Sequence, residues 1–282
     1  MTIDRWNVPG RMRSLRVGDH TVTYIPDGHV ELSPRSWFPE STAGDWEGDR
    51  TRLLTAEGFF LGSVGGLLVE YGERALLIDA GFGPHRAAAA HTHPYLGALA
   101  GGGLLRGLRD AGRRPEEVEA VAFTHLHDDH FGWVFRPGNT STPFLPHANL
   151  IASSEEWSSM RRRGMPVSFP YREAGDGEEI FPGVVAWSTP GHTPGHTSYV
   201  VSSGGQRLIA FGDVFHSPVQ VERPEWEVSM DSDPNVGIAT RDLVLKELSQ
   251  PETLGFGNHF ADVVFGRVVS SGAGSHWRPE HR

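Results

Sequence analysis

The six residues that begin at position 125 read His-Leu-His-Asp-Asp-His, and they constrain the chain more than any other feature. Three imidazoles and two carboxylates packed this closely are costly to bury unless a bound cation compensates them. The seven preceding residues have strand character, so a strand delivers the motif at its carboxyl end. Alternate residues of an extended segment share a face, which points His125 and His127 the same way. Asp129 and His130 follow after a turn, so this stretch predicts two adjacent cation sites.

Three further stretches supply ligands of the same kind. Residues 188–200 place His192 and His196 in a loop rich in proline and glycine, which can hold an imidazole rigidly. The apolar segment before Asp213 reads as a strand, and a carboxylate at its end can bridge two cations. His259 follows another strand-like segment. The chain has no cysteine, so disulfides are excluded, and imidazole with carboxylate suits zinc, iron, manganese or cobalt.

The remaining sequence predicts a mixture of strands and helices, with sheets inside and helices outside. Predicted strands lie at 21–26, 65–72, 74–81, 118–124, 148–153 and 253–260, and the clearest predicted helices at 104–111 and 233–250. Ser153 or Ser154 is the predicted N-cap of a further helix. Residues 27–60 are interpreted as an irregular loop. The insertion 84–103 is rich in alanine and glycine and is also read as a loop. Its His91-x-His93 lacks a following Asp-His pair, so it is not interpreted as a third metal site.

Length and charge narrow the classes of protein. A chain of 282 residues predicts one domain over 1–282, with an N-terminal extension at 1–20 and a loose tail at 271–282. The net charge of −10 disfavours nucleic-acid partners. No apolar run approaches the roughly 18 residues of a membrane span, and the first residues lack a signal-peptide pattern. A cytoplasmic protein with no membrane partner is the expectation.

Taken together, these motifs resemble the metallo-β-lactamase-fold hydrolase superfamily. The resemblance rests on H-x-H-x-D-H at 125–130, the Pro-Gly-His loop at 190–196, Asp213, His259 and the LLIDAGFG stretch at 76–83. It implies an α+β fold, the four-layer αββα sandwich, with a dinuclear metal site at one edge of the two sheets. It implies that the first metal is bound by His125, His127 and His196. It implies that the second metal is bound by Asp129, His130 and His259, and that Asp213 bridges the two metals.

The resemblance also assigns supporting roles. In the loop it favours His196 as the ligand, and His192 is then expected to support the site without binding metal. Asp79 is expected to support the ligands through hydrogen bonds. Two divalent cations are implied, zinc first, with manganese, cobalt or iron open. The implied chemistry is hydrolysis by a metal-bridging hydroxide, and Asp129 could also carry a proton to the leaving group.

The substrate is read from the residues after Asp213. Acyl-homoserine lactonases typically carry a tyrosine three residues later, whereas this chain has His216, a candidate substrate-facing catalytic residue. Residues 212–220 are similar to the branch of methyl parathion hydrolase. We therefore expect a small-molecule ester or lactone, in a pocket lined by Trp37, Phe38 and Trp226. The alternatives are a phosphotriester hydrolase, a mononuclear-iron persulfide dioxygenase-type oxidoreductase and an inactive binding protein, and a homodimer is left open.

Overall fold

Two β-sheets stack face to face in the computed structural model, which describes residues 5–136, 139–143, 145, 147–164, 169–272 and 274–280. In chain order the strands are β1 (Arg13–Val17), β2 (His20–Leu32), β3 (Phe60–Tyr71), β4 (Arg74–Ile78), β5 (Arg86–Ala87), β6 (Leu96–Ala100), β7 (Ala120–Ala122), β8 (Phe135–Arg136), β9 (Asn139–Pro143), β10 (Asn149–Ala152), β11 (Tyr171–Glu173), β12 (Glu179–Phe181), β13 (Val184–Ser188), β14 (Thr197–Ser203), β15 (Gln206–Ala210), β16 (Thr253–Phe256), β17 (Phe265–Ser271) and β18 (Gly274–Pro279). The α-helices are α1 (Pro34–Trp37), α2 (Leu104–Asp110), α3 (Asp128–Phe131), α4 (Ser154–Arg162), α5 (Pro218–Glu222) and α6 (Pro234–Leu248). Short 3₁₀ turns lie at Ala43–Trp46, Gly48–Leu53, Ala89–His91, Pro115–Glu117 and Gly212–Val214.

One sheet has the strand order β11-β10-β7-β4-β3-β2-β6-β5, with β1 paired to β2, and the second has the order β12 to β18. Strands β8 and β9 form a separate antiparallel pair. Apolar side chains of β3 point alternately to two sides. Leu67 and Val69 pack between the sheets, against residues such as Tyr199 of β14. Leu68 points outward, into a cluster that includes Trp157 of α4. Burial on both faces is what a central sheet covered by helices requires.

The second sheet is covered on its outer face by α6. Val244 and Leu248 of that helix pack with Ile209 of β15. Asp233 caps the helix by accepting a hydrogen bond from Val236, and Pro234 occupies its first turn. The layers are therefore helix, sheet, sheet and helix, which confirms the predicted αββα sandwich. Helices α4 and α6 also agree with their predictions, and Ser153 is the cap of α4.

Three predictions about local structure are wrong. Residues 27–32 continue β2 instead of starting a loop, and β5 and β6 lie inside the supposed loop 84–103. The predicted loose tail contains β18, which pairs antiparallel with β17 and buries Trp277. Positions 273, 281 and 282 of the predicted tail lie outside the described residues. In the first two cases pairing with another strand of the first sheet overrides weak local propensity, and in the third β18 pairs with β17, the strand directly before it in the chain. The predicted extension 1–20 likewise contributes β1 to the first sheet.

The carboxyl ends of β4, β7 and β15 and the β13–β14 loop meet at one edge of the two sheets, where Asp79, the motif, Asp213 and the histidine loop follow them. The parallel pairs β4–β7 and β15–β16 require this, because neighbouring parallel strands end on the same side. No α-helix in the described ranges is long and apolar enough to cross a membrane.

Candidate metal centre

The motif turn is held from behind by α4. The Leu126 amide, between two of the histidines, donates to Glu156 Oε2 at 2.9 Å, and the Leu126 carbonyl accepts from Arg163 at 3.0 Å. His125 is fully buried, whereas His127 is partly open to solvent. Fixing both backbone polar atoms of Leu126 restrains the two peptide groups that lead to His125 and His127, and so the direction of both imidazoles.

Three histidines form what we call the first ligand group: His125, His127 and His192. The Nδ1 atom of His127 lies 3.0 Å from His125 Nε2 and 3.1 Å from His192 Nε2. These atoms are close enough to share one cation. Burial, and then the neighbouring His192, lower the pKa of His127 to about 3, so its ring is neutral at physiological pH and can offer a lone pair.

The structure reverses the predicted order of the two loop histidines. His192 points its Nε2 into the first ligand group, whereas both nitrogens of His196 are used elsewhere. His196 Nδ1 lies 3.0 Å from the Thr189 carbonyl, and its Nε2 accepts the Asp213 amide at 3.0 Å. His196 therefore shapes the backbone beneath the site, the role predicted for His192.

The second ligand group consists of Asp129, His130 and His259. Asp129 Oδ2 lies 3.4 Å from His259 Nε2 and 3.6 Å from His130 Nε2. Burial lowers the pKa of His130, but the carboxylates of Asp213, Asp129 and Asp79 outweigh it and raise that pKa well above 6.5. Such concentrated negative charge favours a cation at this position, whether a proton or a metal ion.

Asp213 lies between the two groups. Its Oδ2 is 3.4 Å from His192 Nε2 and 3.7 Å from His125 Nε2, on the side of the first group. Its Oδ1 is 3.1 Å from His259 Nε2 and 3.2 Å from His130 Nε2, on the side of the second. One carboxylate thus offers one oxygen to each group, as the predicted bridging role requires.

The histidines of the second ligand group are oriented by partners outside it. His130 Nδ1 lies 2.9 Å from Asp79 Oδ2, and His259 Nδ1 donates to the Ser63 carbonyl at 2.9 Å. Asp79 also accepts the Thr124 amide, and these bonds compensate its left-handed backbone, φ 61°. The predicted supporting position of Asp79 agrees with this geometry.

His192 is held by a partner that the sequence did not reveal. Its Nδ1 lies 3.0 Å from Asp231 Oδ1, and the other oxygen of Asp231 is 3.2 Å from Arg241 of α6. Both side chains of this ion pair are at most 1% exposed. The buried pair fixes which nitrogen of His192 faces the first ligand group.

The residues present fit two divalent cations. His130 Nε2 and Asp213 Oδ1 are buried and lack a hydrogen-bond partner among the described residues; they lie 3.2 Å apart, but not in hydrogen-bond geometry. Unpaired buried polar atoms are costly, and a bound metal ion would satisfy both at once. Imidazole and carboxylate donors without thiolate are the ligand set of zinc and its neighbours.

A cavity of about 350 Å³ opens above the two groups. Its apolar wall is made by Val30, Leu32, Trp37, Phe82, Tyr95, Leu96, Leu99 and Met230. Of the predicted pocket residues, Trp37 lines this cavity, but Phe38 and Trp226 do not. Phe38 and Trp226 pack against each other at 5.7 Å, in an aromatic cluster behind the wall. They support Trp37 instead of facing a ligand.

His216 lies where the cavity meets the metal centre. Its Nε2 is 3.1 Å from Asp213 Oδ2, and its ring meets Trp37 edge-on at 5.3 Å. The side chain is only 1% exposed, so it faces the bridging carboxylate more than the cavity. Together with His192 and Asp213 it forms another group that could bind a cation. Within the described chain, His91 and His93 belong to no such group, and His93 lines the cavity rim.

Comparison with known proteins assigns the chain to a family. The family model of the metallo-beta-lactamase superfamily matches residues 66–246. A human protein, metallo-beta-lactamase domain-containing protein 1, is 31% identical over 219 residues, which cover 71% of each chain. The chain belongs to the metallo-beta-lactamase superfamily. An N-acyl homoserine lactonase of Bacillus cereus is 25% identical over 155 residues, 50% of this chain and 59% of its own length.

Two solved structures share the fold over almost the whole chain. AidC, a dizinc quorum-quenching lactonase in complex with the product N-hexanoyl-L-homoserine, superposes with a TM-score of 0.82 at 20% identity, over 98% of this chain and 99% of its own. The hydrolase AbOPH superposes with a TM-score of 0.76 at 24% identity and the same coverage. The fold of this superfamily and its histidine and aspartate groups indicate a hydrolase that depends on divalent metal ions.

Proposed function

We propose that the protein is a dinuclear metal-dependent hydrolase that cleaves a small lactone or ester carrying an apolar arm. The observation that carries this proposal is the position of Asp213. It offers one oxygen to each ligand group at the floor of an apolar cavity. A site for polar chemistry beneath an apolar wall suits a substrate with a polar reacting bond and a hydrophobic arm.

In this proposal His125, His127 and His192 would hold one metal ion, Asp129, His130 and His259 would hold the other, and Asp213 would offer one oxygen to each. Zinc is the proposed metal, because the donor set is imidazole and carboxylate. When bound, two such ions supply Lewis-acid chemistry: they make water a better nucleophile near neutral pH and polarise the substrate oxygen. The chain contributes the positions of the ligands and the shape of the cavity.

Asp129 is the proposed proton carrier. Its side chain is 21% exposed, whereas that of Asp213 is 5% exposed, so Asp129 is the more accessible of these two carboxylates. Attack of water on a lactone or ester releases a proton and leaves an alkoxide, and a carboxylate beside the leaving group can take up that proton and deliver it to the alkoxide. An Asp129→Asn protein that kept two metals and full activity would contradict this role.

His216 is proposed to act through Asp213. The distance of 3.1 Å from His216 Nε2 to Asp213 Oδ2 lets the imidazole restrain the bridging carboxylate, and Trp37 packs on its other side. Burial lowers the pKa of His216, more than Asp213 raises it, so the ring is neutral at physiological pH. The neutral ring lies between Asp213 and Trp37 and holds the cavity floor against that indole.

The geometry of the two ligand groups favours a hydrolase over the other functions considered. Both ligand groups are complete, which favours a hydrolase with two metals over a mononuclear-iron oxidoreductase or an inactive binding protein. The lactonases among the similar proteins support lactone or ester substrates. Phosphotriesters remain the second class to test, because the same metal chemistry acts on a phosphoryl oxygen.

The test combines metal analysis with a substrate panel. The protein is purified without chelator, loaded with zinc, manganese or cobalt, and assayed on lactones, aryl esters and phosphotriesters with short and long apolar arms. We expect about two tightly held metal ions per chain and turnover of lactones or esters. A fully loaded protein that turns over none of the three classes would contradict the proposal. Less than one bound metal ion would favour the binding protein.

A further inference from the structure

One side of the cavity is built by a segment that the metal chemistry does not need. Residues 84–103, here called the inserted segment, contain β5 and β6 and cover the open edge of β2. Tyr95, Leu96 and Leu99 of this segment face the cavity, opposite the metal centre's own residues. The segment therefore encloses whatever part of a substrate extends beyond the metal ions.

A single buried carboxylate closes the base of the inserted segment. Asp27 lies at an irregularity of β2, where the pairing register with β3 shifts. Its Oδ2 accepts the Phe82 amide at 2.8 Å, before the segment, and its Oδ1 accepts the Gly102 and Leu104 amides at 3.0 Å, at the segment's end. Hydrogen bonds to an ionised acceptor are stronger than neutral ones. Asp27 thus ties together two points of the chain that lie about twenty positions apart.

The same carboxylate reaches the metal motif. Asp27 Oδ1 also accepts the indole N–H of Trp133 at 2.6 Å, three residues after His130. The Gly132 amide next to it donates to the Gly81 carbonyl at 2.7 Å. The inserted segment is therefore positioned relative to the metal ligands, not merely attached to the sheet.

The chain around Asp27 is packed too tightly to allow another arrangement. A Cβ atom at Gly28 would lie 1.7 Å from the Ala100 carbonyl oxygen, so only glycine lets β2 and the end of the inserted segment approach this closely. A second carboxylate, Glu31, accepts the Ala98 amide at 2.8 Å and holds the middle of β6. Two acidic residues of one strand hence fasten the inserted segment at its base and along its length.

We infer that the inserted segment is the wall that receives an apolar acyl chain of the substrate, and that Asp27 is the positioning residue that sets its distance from the metal ions. This inference rests on the proposed function. It adds that the wall selects substrates by the length of a linear acyl chain. Leu96 and Leu99, with Val30 and Leu32 of β2 beside them, supply apolar surface for successive methylene groups.

The test measures binding and amide exchange alongside turnover. Zinc-loaded protein is titrated calorimetrically with n-alkanoic acids of four to ten carbons, whose carboxylate can reach the metal ions. Each buried methylene should raise the affinity about fourfold for the native chain. In Asp27→Asn the charge and one acceptor are lost, so the gain should fall below about twofold per methylene. Hydrogen exchange at the Phe82, Gly102 and Leu104 amides should accelerate, while two zinc ions remain bound.

Three variants serve as controls and alternatives. Asp176→Asn removes a carboxylate that accepts the Ser188 amide at 2.7 Å outside the cavity, and it should change neither the affinity series nor the exchange at the three amides. Leu99→Ala should reduce the gain per methylene without changing that exchange. Glu31→Gln should give a smaller reduction than Asp27→Asn, and it tests the same wall if Asp27→Asn does not fold.

The outcomes separate the inference from the proposed function. The inference would be overturned if the affinity series were unchanged in both Leu99→Ala and Asp27→Asn. If Asp27→Asn does not fold, an unchanged series in both Leu99→Ala and Glu31→Gln would overturn it. Loss of zinc together with affinity in Asp27→Asn would assign that residue to the metal motif and also overturn it. A native protein that binds alkanoic acids with the expected series but hydrolyses no lactone or ester would contradict the proposed function and leave the inference standing.

Discussion

The floor of the cavity consists of ionisable side chains at strand ends, whereas its wall consists of apolar side chains on an inserted segment. At the floor, His130, His192 and His259 each have a hydrogen-bond partner outside the ligand groups. At the wall, Leu96 and Leu99 have no polar atoms in their side chains to fix, and Asp27 and Glu31 position their backbone instead. The floor and the wall are thus held mainly by different contacts, and Asp27 joins them through its hydrogen bond from Trp133.

The largest expected effect is at the residue shared by both ligand groups. Asp213→Ala should lower kcat/KM about 10³-fold or more, because metal ions contribute several kcal/mol and about 1.4 kcal/mol corresponds to a factor of ten. Metal content should fall below two per chain, while the length preference for any residual binding of alkanoic acids persists. Metal analysis and the calorimetric series check both parts. A protein that retained two metals and native activity would contradict the bridging role.

The next effect distinguishes the two loop histidines. His192→Ala removes a nitrogen from the first ligand group and should lower kcat/KM by about 10²-fold or more, with loss of one metal ion. His196→Ala removes a buried ring that accepts the Asp213 amide, so its main effect should be a fall in the free energy of unfolding of about 2 kcal/mol. Metal stoichiometry and chemical denaturation separate the two variants. Metal loss only in the His196 variant would restore the sequence-based assignment.

A smaller effect is expected behind the floor. Asp231→Asn keeps the shape beside His192 but loses the charge that pairs with Arg241, so zinc affinity at the first group should fall about 10-fold to 100-fold. Competition with a chelator gives this affinity. Asp233→Asn, a helix-cap change that retains a capping side chain, is the matched control and should leave the zinc affinity unchanged. Equal zinc affinities for Asp231→Asn and the native protein would show that the His192 orientation does not depend on this pair.

The smallest catalytic effect is expected at the wall. Leu99→Ala should leave kcat for a short-chain ester within about twofold and raise KM several-fold for a long-chain one, because about 0.8 kcal/mol is lost for each methylene no longer buried. Steady-state kinetics on esters of two and ten carbons provide the measurement. A uniform fall in kcat for both esters would instead connect the wall with the chemistry.

The contrast between the floor and the wall also explains which features could be predicted from the sequence. Polar residues placed directly after apolar strands are a local pattern that indicates a metal site, and the resemblance that this pattern carries implied the αββα sandwich and the positions of Asp79, Asp129 and Asp213. The choice between His192 and His196 did not follow from it, since both lie in one Gly-His-Thr-Pro-Gly-His loop. What separates them is Asp231, 39 positions from His192, and no local signal marks it.

The wall was missed for a related reason. The inserted segment is rich in alanine and glycine, so its strand propensity is low, and β6 forms only because β2 offers a partner edge. The alternation of Val30 and Leu32 could have extended the predicted first strand beyond 26, and the Gly-rich turn before Trp277 could have indicated the last hairpin. The role of Asp27, which joins four N–H groups from three segments, is visible only in three dimensions.

The dinuclear centre can be tested directly by anomalous diffraction at the zinc edge from crystals of the zinc-loaded protein. We predict two zinc peaks per chain, about 3.5–4 Å apart, with one oxygen of Asp213 directed to each and His192 bound to the first. A single peak, or two peaks in which His196 replaces His192 as a ligand, would contradict it.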